Sequence, residues 1–165
     1  MTSTEDHYVV PFYLKMTGTN AVQNGAGLSA SIATATRFAT ADDVVGLLQG
    51  PWRPRVMGAW LSIRQSDPEV HRALLLSLRT SLGWLTLPPL ATAAVAVMGL
   101  EAVDALQAYI AENGSSEPGS TGFAAAALEY LGGGDVVQTT SKNREVLQAM
   151  LVAAELIRTA KAETD

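Results

Sequence analysis

Arg53, Trp60 and Arg64 are the residues whose types and spacing say most about chemistry in this sequence. With Met57 they follow one another at steps of three and four, so a helix places all of them on one face. Two guanidinium groups flanking an indole can grip a carboxylate or phosphate bidentately and stack a planar group. Trp84 joins them as a second aromatic in the ligand-binding set. A structural reading stands beside this one, in which the arginine stems cover Trp60 and pair with acids such as Asp67 or Glu129. Acid–base chemistry has four candidate carriers, His71, Glu129, Tyr130 and Tyr13. His71 shares a helical face with Leu75, Leu78 and Leu82 and lies near Arg72 and Arg79. It is either a partly buried structural histidine or a proton carrier beside an anion site. His7, ahead of the Pro-Phe-Tyr segment, is expected to be exposed. Glu129 interrupts an apolar run and is either raised in pKa by burial or paired with an arginine.

The familiar catalytic signatures are missing: the sequence has no HExxH, no P-loop, no nucleophile elbow and no Asp-rich calcium loop. Gly25, Gly27 and Ala30 meet the loosest dinucleotide-binding pattern, but no apolar strand precedes them. Asn113 to Ser115 matches a glycosylation acceptor, which matters only in a secreted chain. With no cysteine there is no disulfide or thiolate site. No metal and no cofactor is expected.

The net charge of −5 disfavours nucleic acid as a partner, because phosphate binding needs an excess of Lys and Arg. The charge is unevenly placed, however. Residues 51–84 hold Arg53, Arg55, Arg64, Arg72 and Arg79 against Asp67 and Glu69, whereas residues 101–135 hold six acids and no Lys or Arg. Two copies could therefore meet, basic block to acidic block, as a homo-oligomer. The opening MTSTEDHYVV has no positive n-region of a signal peptide, so a cytoplasmic location is expected. Residues 80–100 carry no charge. Gly83, Pro88 and Pro89 divide that stretch and leave an apolar helix too short to span a bilayer, which makes a buried central helix the better reading than a membrane span.

What must position these residues is a set of helices. With 48% apolar and 16% charged residues, a chain of 165 residues is expected to form one domain with a large core. Thr40 with Asp43, and Ser66 with Glu69, form capping-box patterns. Pro51, Pro68 and the pair Pro88–Pro89 sit where helices begin. These signals predict helices over about 40–50, 51–65, 68–82, 88–99 and 101–112, the last closed by Asn113 and Gly114. A loop over 114–121 precedes a sixth helix that ends at the glycines 132–134. An amphipathic helix follows from Asn143 to about Lys161. Before these, YVVPFYL reads as extended, TGTNAVQNGAG as a loop, and residues 28–38 as a helix.

Internal similarity sharpens this into a fold. AWLSIRQSDPEVHRALLLSL and AAVAVMGLEAVDALQAYI, starting at Ala59 and Ala93, share a helix of small apolar residues, a break and a second helix, and AAALEYLGGGD, from Ala125, begins a third copy. The expected fold is all-α: a short HEAT-like, right-handed stack of helical hairpins over 40–165 behind an irregular N-terminal cap of residues 1–39.

Residues 8–20, YVVPFYLKMTGTN, and 50–64, GPWRPRVMGAWLSIR, resemble an uncharacterised bacterial family known as domain of unknown function 6000. Pro11 to Lys15, Trp52, Arg53, Arg55, Ala59 to Leu61 and Gly99 to Val103 carry the resemblance. The Ser, Thr and Ala-rich residues 17–36 depart from it. It implies a HEAT-like helical fold and no established activity. Two functions follow from the sequence. One is a binding module whose concave face takes a protein segment or an anionic or aromatic small molecule. The other is a cofactor-free cyclase or isomerase of specialised metabolism, working on a hydrophobic substrate through acid–base groups.

Overall fold

Every regular element of the computed structural model is helical among the residues it describes, which are 3–81, 83–114, 116–133 and 138–163. In chain order these are α1 (Thr4–Tyr8), α2 (Tyr13–Met16), α3 (Ala21–Phe38), α4 (Ala41–Gln49), α5 (Trp52–Ser62), α6 (Pro68–Arg79) and α7 (Leu87–Met98). A 3₁₀ turn (Gly99–Ala102) leads into α8 (Val103–Asn113), followed by α9 (Pro118–Tyr130) and α10 (Ser141–Thr159). The helix end expected at Leu82, and Ser115, Gly134 and Asp135, lie outside the described residues.

The punctuation worked as its chemistry requires. Thr40 accepts from the Asp43 amide while the Asp43 carboxylate takes the Thr40 amide, so both halves of the α4 capping box are made. At α6 the cap is Asp67 rather than Ser66: its carboxylate accepts from the Glu69 amide at 2.8 Å, and Pro68 takes the first turn. Thr140 caps α10 in the same way, starting that helix two residues earlier than expected.

The N-terminal forty residues differ most from expectation. YVVPFYL is not extended; it forms the end of α1, a turn through Pro11 and the short α2. Of the stretch read as a loop, residues 17–20 do form a bend and turn, whereas residues 21–27 open α3 even though they include Gly25 and Gly27. The reason is tertiary. A Cβ on Gly25 would stand 2.7 Å from the Ala153 Cβ of α10, so this glycine lets two long helices touch and outweighs its poor helix propensity. The same geometry removes the dinucleotide pattern, because Gly25, Gly27 and Ala30 all sit inside α3 with no strand or phosphate loop ahead of them.

The helices are arranged in rows. α4, α6 and α8 pack side by side, and α5, α7 and α9 form a second row behind them. α3 and α10 lie over the far side of the second row, α3 on α5 and α10 on α7 and α9, and they pack along each other. The middle row is therefore covered on both faces, and its sequence matches. Leu87 to Val95 of α7 and Ser120 to Leu128 of α9 are buried without interruption. Helices apolar all round belong in an interior, and runs of Ala let neighbours approach closely. The flanking α6 shows the opposite pattern, burying Val70, Ala73, Leu74, Ser77 and Leu78 on one stripe.

Residues 87–113 are apolar and long enough, by composition, to cross a bilayer, and 56% of their most apolar window is buried in the protein. Gly99 breaks that run. Its φ of 55° and ψ of −124° leave helical space, so α7 and α8 are separate helices joined by the 3₁₀ turn.

Candidate functional site

Trp60 lies at the centre of the molecule, fully buried. Its indole N–H donates to the Met16 carbonyl at 3.0 Å, tying α5 to the end of α2. The two arginines expected beside it point to different tasks. Arg64 donates through Nη1 to the carbonyls of Ile157, Arg158 and Ala160, at 3.0, 2.9 and 2.9 Å. Those are orphan acceptors at the C-terminus of α10, where a cation also opposes the negative end of the helix dipole. Arg53 is exposed and lies over the rings of Tyr13 and Trp52, at 5.2 and 5.0 Å from their centroids. Tyr13 meets Trp52 edge-on. Arg53, Trp60 and Arg64 thus form no common surface: the aromatic flanked by a cation is the Tyr13–Trp52 pair, at the junction of α2 and α5. Neither arginine pairs with Asp67 or Glu129. Trp84 is 41% exposed and sets its ring edge-on against Phe123 of α9.

The acid–base candidates are also dispersed. Nε2 of His71 lies 3.1 Å from the Gln65 carbonyl, just ahead of its own helix, and Tyr13 is engaged as described. His7 is exposed, as expected, with its ring nitrogen facing the Ser3 carbonyl. Burial pushes up the phenol of Tyr109, which donates to Ser120 Oγ at 2.8 Å between α8 and α9. Among the described residues no group of three or more His, Asp or Glu is placed to hold a metal ion.

Glu129 and Tyr130 do come together, at the C-terminal end of α9, beside two adjoining depressions that form a groove along α10. One half, about 130 Å³, is walled by Ala126, Glu129, Arg144 and Leu147. The other, about 490 Å³, runs past Val95 and Ala96 of α7 and Leu151, Val152 and Arg158 of α10. Tyr130 and Gln148 belong to both. Glu129 pairs with Arg144 at 2.8 Å, and Glu155 pairs with Arg158 at 2.6 Å. The smaller half is mainly apolar and the larger half mainly polar, with an ion pair at each end, and Tyr130 at 54% and Val152 at 60% exposure are its exposed apolar groups. Two of the sequence candidates belong to this groove. Its α10 wall was missed, because the amphipathic stripe of that helix reads as a single core face. The signal was present in the exposed Val152 between charged turns.

The groove can take apolar side chains along its floor and a charge of either sign at its ends. No family model, no curated protein and no solved structure matches this chain.

Proposed function

We propose that this protein is a HEAT-like helical-repeat binding module that holds an amphipathic protein segment in the groove along α10. On this reading α4–α5, α6–α7 and α8–α9 are three hairpins stacked in register, and α3 and α10 cover the side of the stack formed by its second helices. The resemblance of residues 8–20 and 50–64 to domain of unknown function 6000 belongs to the same reading. The usual ligand face of a solenoid is thereby occupied by the chain's own helices, and binding moves to the seam where α10 meets α7 and α9.

The observation that carries this is the coupling of large exposed apolar groups to flanking ion pairs. Tyr130 and Val152 lie in a groove about 20 Å long, taking the rise of α10 from Arg144 to Arg158. That length and openness suit two or three anchor side chains of a bound helix or strand better than a small molecule, which is held by burying most of its surface. Acid–base catalysis is the weaker reading, because His71, Tyr13 and the Glu129–Tyr130 pair stand in three separate environments.

Selection of short random peptides displayed on phage tests this. Peptides enriched on the protein are expected to carry apolar anchors spaced for one face, with a charge at an end. Tyr130→Ala and Val152→Asp, both at exposed positions, are each expected to weaken their binding by at least tenfold, on the order of 1.4 kcal/mol. Peptides that bind the variants as well as the parent, or no enrichment at all, would overturn the reading.

A further inference from the structure

The outer row carries charge in a pattern that complements itself. On α6, Arg72, Leu76 and Arg79 follow helical spacing and are all exposed, Leu76 at 57%. On α8, alongside α6, Asp104, Gln107, Ala111 and Glu112 are exposed and Ala108 is half-buried. Thr80 and Ser81 at the end of α6 share a furrow of about 610 Å³ with Ala108, Ala111, Glu112 and Asn113 at the end of α8. Matching ends mean that the two helices run in the same direction. By helical rise Arg72 is then level with Asp104, Leu76 with Ala108, and Arg79 with Ala111 and Glu112.

We infer that this face is where two copies of the chain meet, through a two-fold axis lying parallel to α6 and α8 and between them. Rotation about that axis sets α6 of each copy over α8 of the other without reversing direction. Arg72 and Arg79 of one copy fall against Asp104 and Glu112 of the other, and the exposed Leu76 falls against the small Ala108 at the furrow's edge. A two-fold contact requires a patch that complements itself, and a basic strip beside an acidic strip is such a patch. No other placement of the two-fold axis in that plane satisfies the charges: an axis across the helices sets α6 on α6, arginine against arginine. Arg72 already pairs with Glu69 one turn back on its own helix. That pair is exposed and readily exchanged for an acid of the partner. The surface lies on the opposite side of the molecule from the α10 groove, so the two sites operate independently.

The test uses two charge-reversed variants of the full chain, Arg72→Glu with Arg79→Glu, and Asp104→Arg with Glu112→Arg. Light scattering over a concentration series is expected to find a dimer in the parent that weakens at least tenfold as salt is raised from low to high. Each variant alone is expected to be a monomer, since like charges then face each other. Mixed one to one, the two are expected to form a heterodimer, because each acidic α6 then meets a basic α8. Circular dichroism confirms that each variant is folded. A parent that stays monomeric at every salt and concentration overturns the inference, as do folded variants that dimerise alone or fail to pair when mixed.

Discussion

The middle and outer rows use the same kind of helix for opposite purposes. α5, α7 and α9 are covered on both faces, and their sequences are nearly free of charge past the first turn of α5. α4, α6 and α8 bury one stripe and show solvent the other, so charge gathers there and on α10, where Val152 and Leu156 are also exposed. The difference teaches where to look. A large aromatic inside the middle row, such as Trp60, is a structural member whatever its neighbours in sequence, whereas a function has to be sought in the flanking helices and at the exposed end of α9, where Tyr130 stands. Changes in the middle row should therefore cost stability, and changes on the flanks should cost binding.

Trp60→Ala is the strongest way to break that contrast. It empties a fully buried indole site and leaves the Met16 carbonyl without its donor, which together are expected to cost about 3–5 kcal/mol. Urea unfolding measures it. Val152→Ala on α10, at 60% exposure, is expected to stay within about 0.5 kcal/mol of the parent. Equal costs at the two positions would erase the distinction between the rows.

Arg64→Ala probes the join between the middle row and α10. Three carbonyls lose one guanidinium, and the expected loss is about 2 kcal/mol. Hydrogen exchange locates the effect: amides in the last two turns of α10 should exchange faster while those of α7 keep their protection relative to global unfolding. Arg64→Lys should recover only part of the loss, because the lysine nitrogen ends one bond short of the position from which Nη1 reaches all three carbonyls. Faster exchange spread evenly through the chain would assign Arg64 to the core as a whole.

The sequence made these rows legible to different degrees. Caps and prolines mark α4 to α7 and α10 because their signals are local: a hydroxyl or carboxylate at the N-cap, or a ring at the first turn, acts within a few residues; α8 has neither, and α9 begins at Pro118, inside the residues read as a loop. The first half of α3 was illegible because Gly25 is chosen by Ala153 across the molecule, and no window of sequence contains both. The Arg53–Trp60–Arg64 face failed for a related reason. Helical spacing treats the three as one face, but α5 ends at Ser62 and leaves Arg64 in the following turn, and which side of the helix meets solvent depends on α2 and α3, against which Trp60 is buried. Pairing Glu129 with an arginine was legible in kind; that the partner is Arg144, and that the pair lies in solvent at the end of α9, was not.

A smaller effect than that of Arg64 is expected where the outer row meets the middle one. Tyr109 of α8 donates to Ser120 of α9, and Ser120 in turn donates to the Glu117 carbonyl at 3.2 Å. Tyr109→Phe keeps the ring and removes one link of that chain, so the loss near neutral pH is expected to be about 1 kcal/mol. The pH dependence is more telling than the size. Burial raises the folded phenol above the ordinary value of 10.0, so the folded state holds its proton more tightly than the unfolded chain does. The resulting stabilisation is fully present below pH 10 and is lost as pH rises through the raised folded value. The parent should therefore lose stability in alkali more steeply than Tyr109→Phe, and the two stability curves should converge as pH climbs above 10. Parallel curves would mean that the phenol ionises as freely in the folded protein as in the unfolded chain, and that the seam between the rows is open to water.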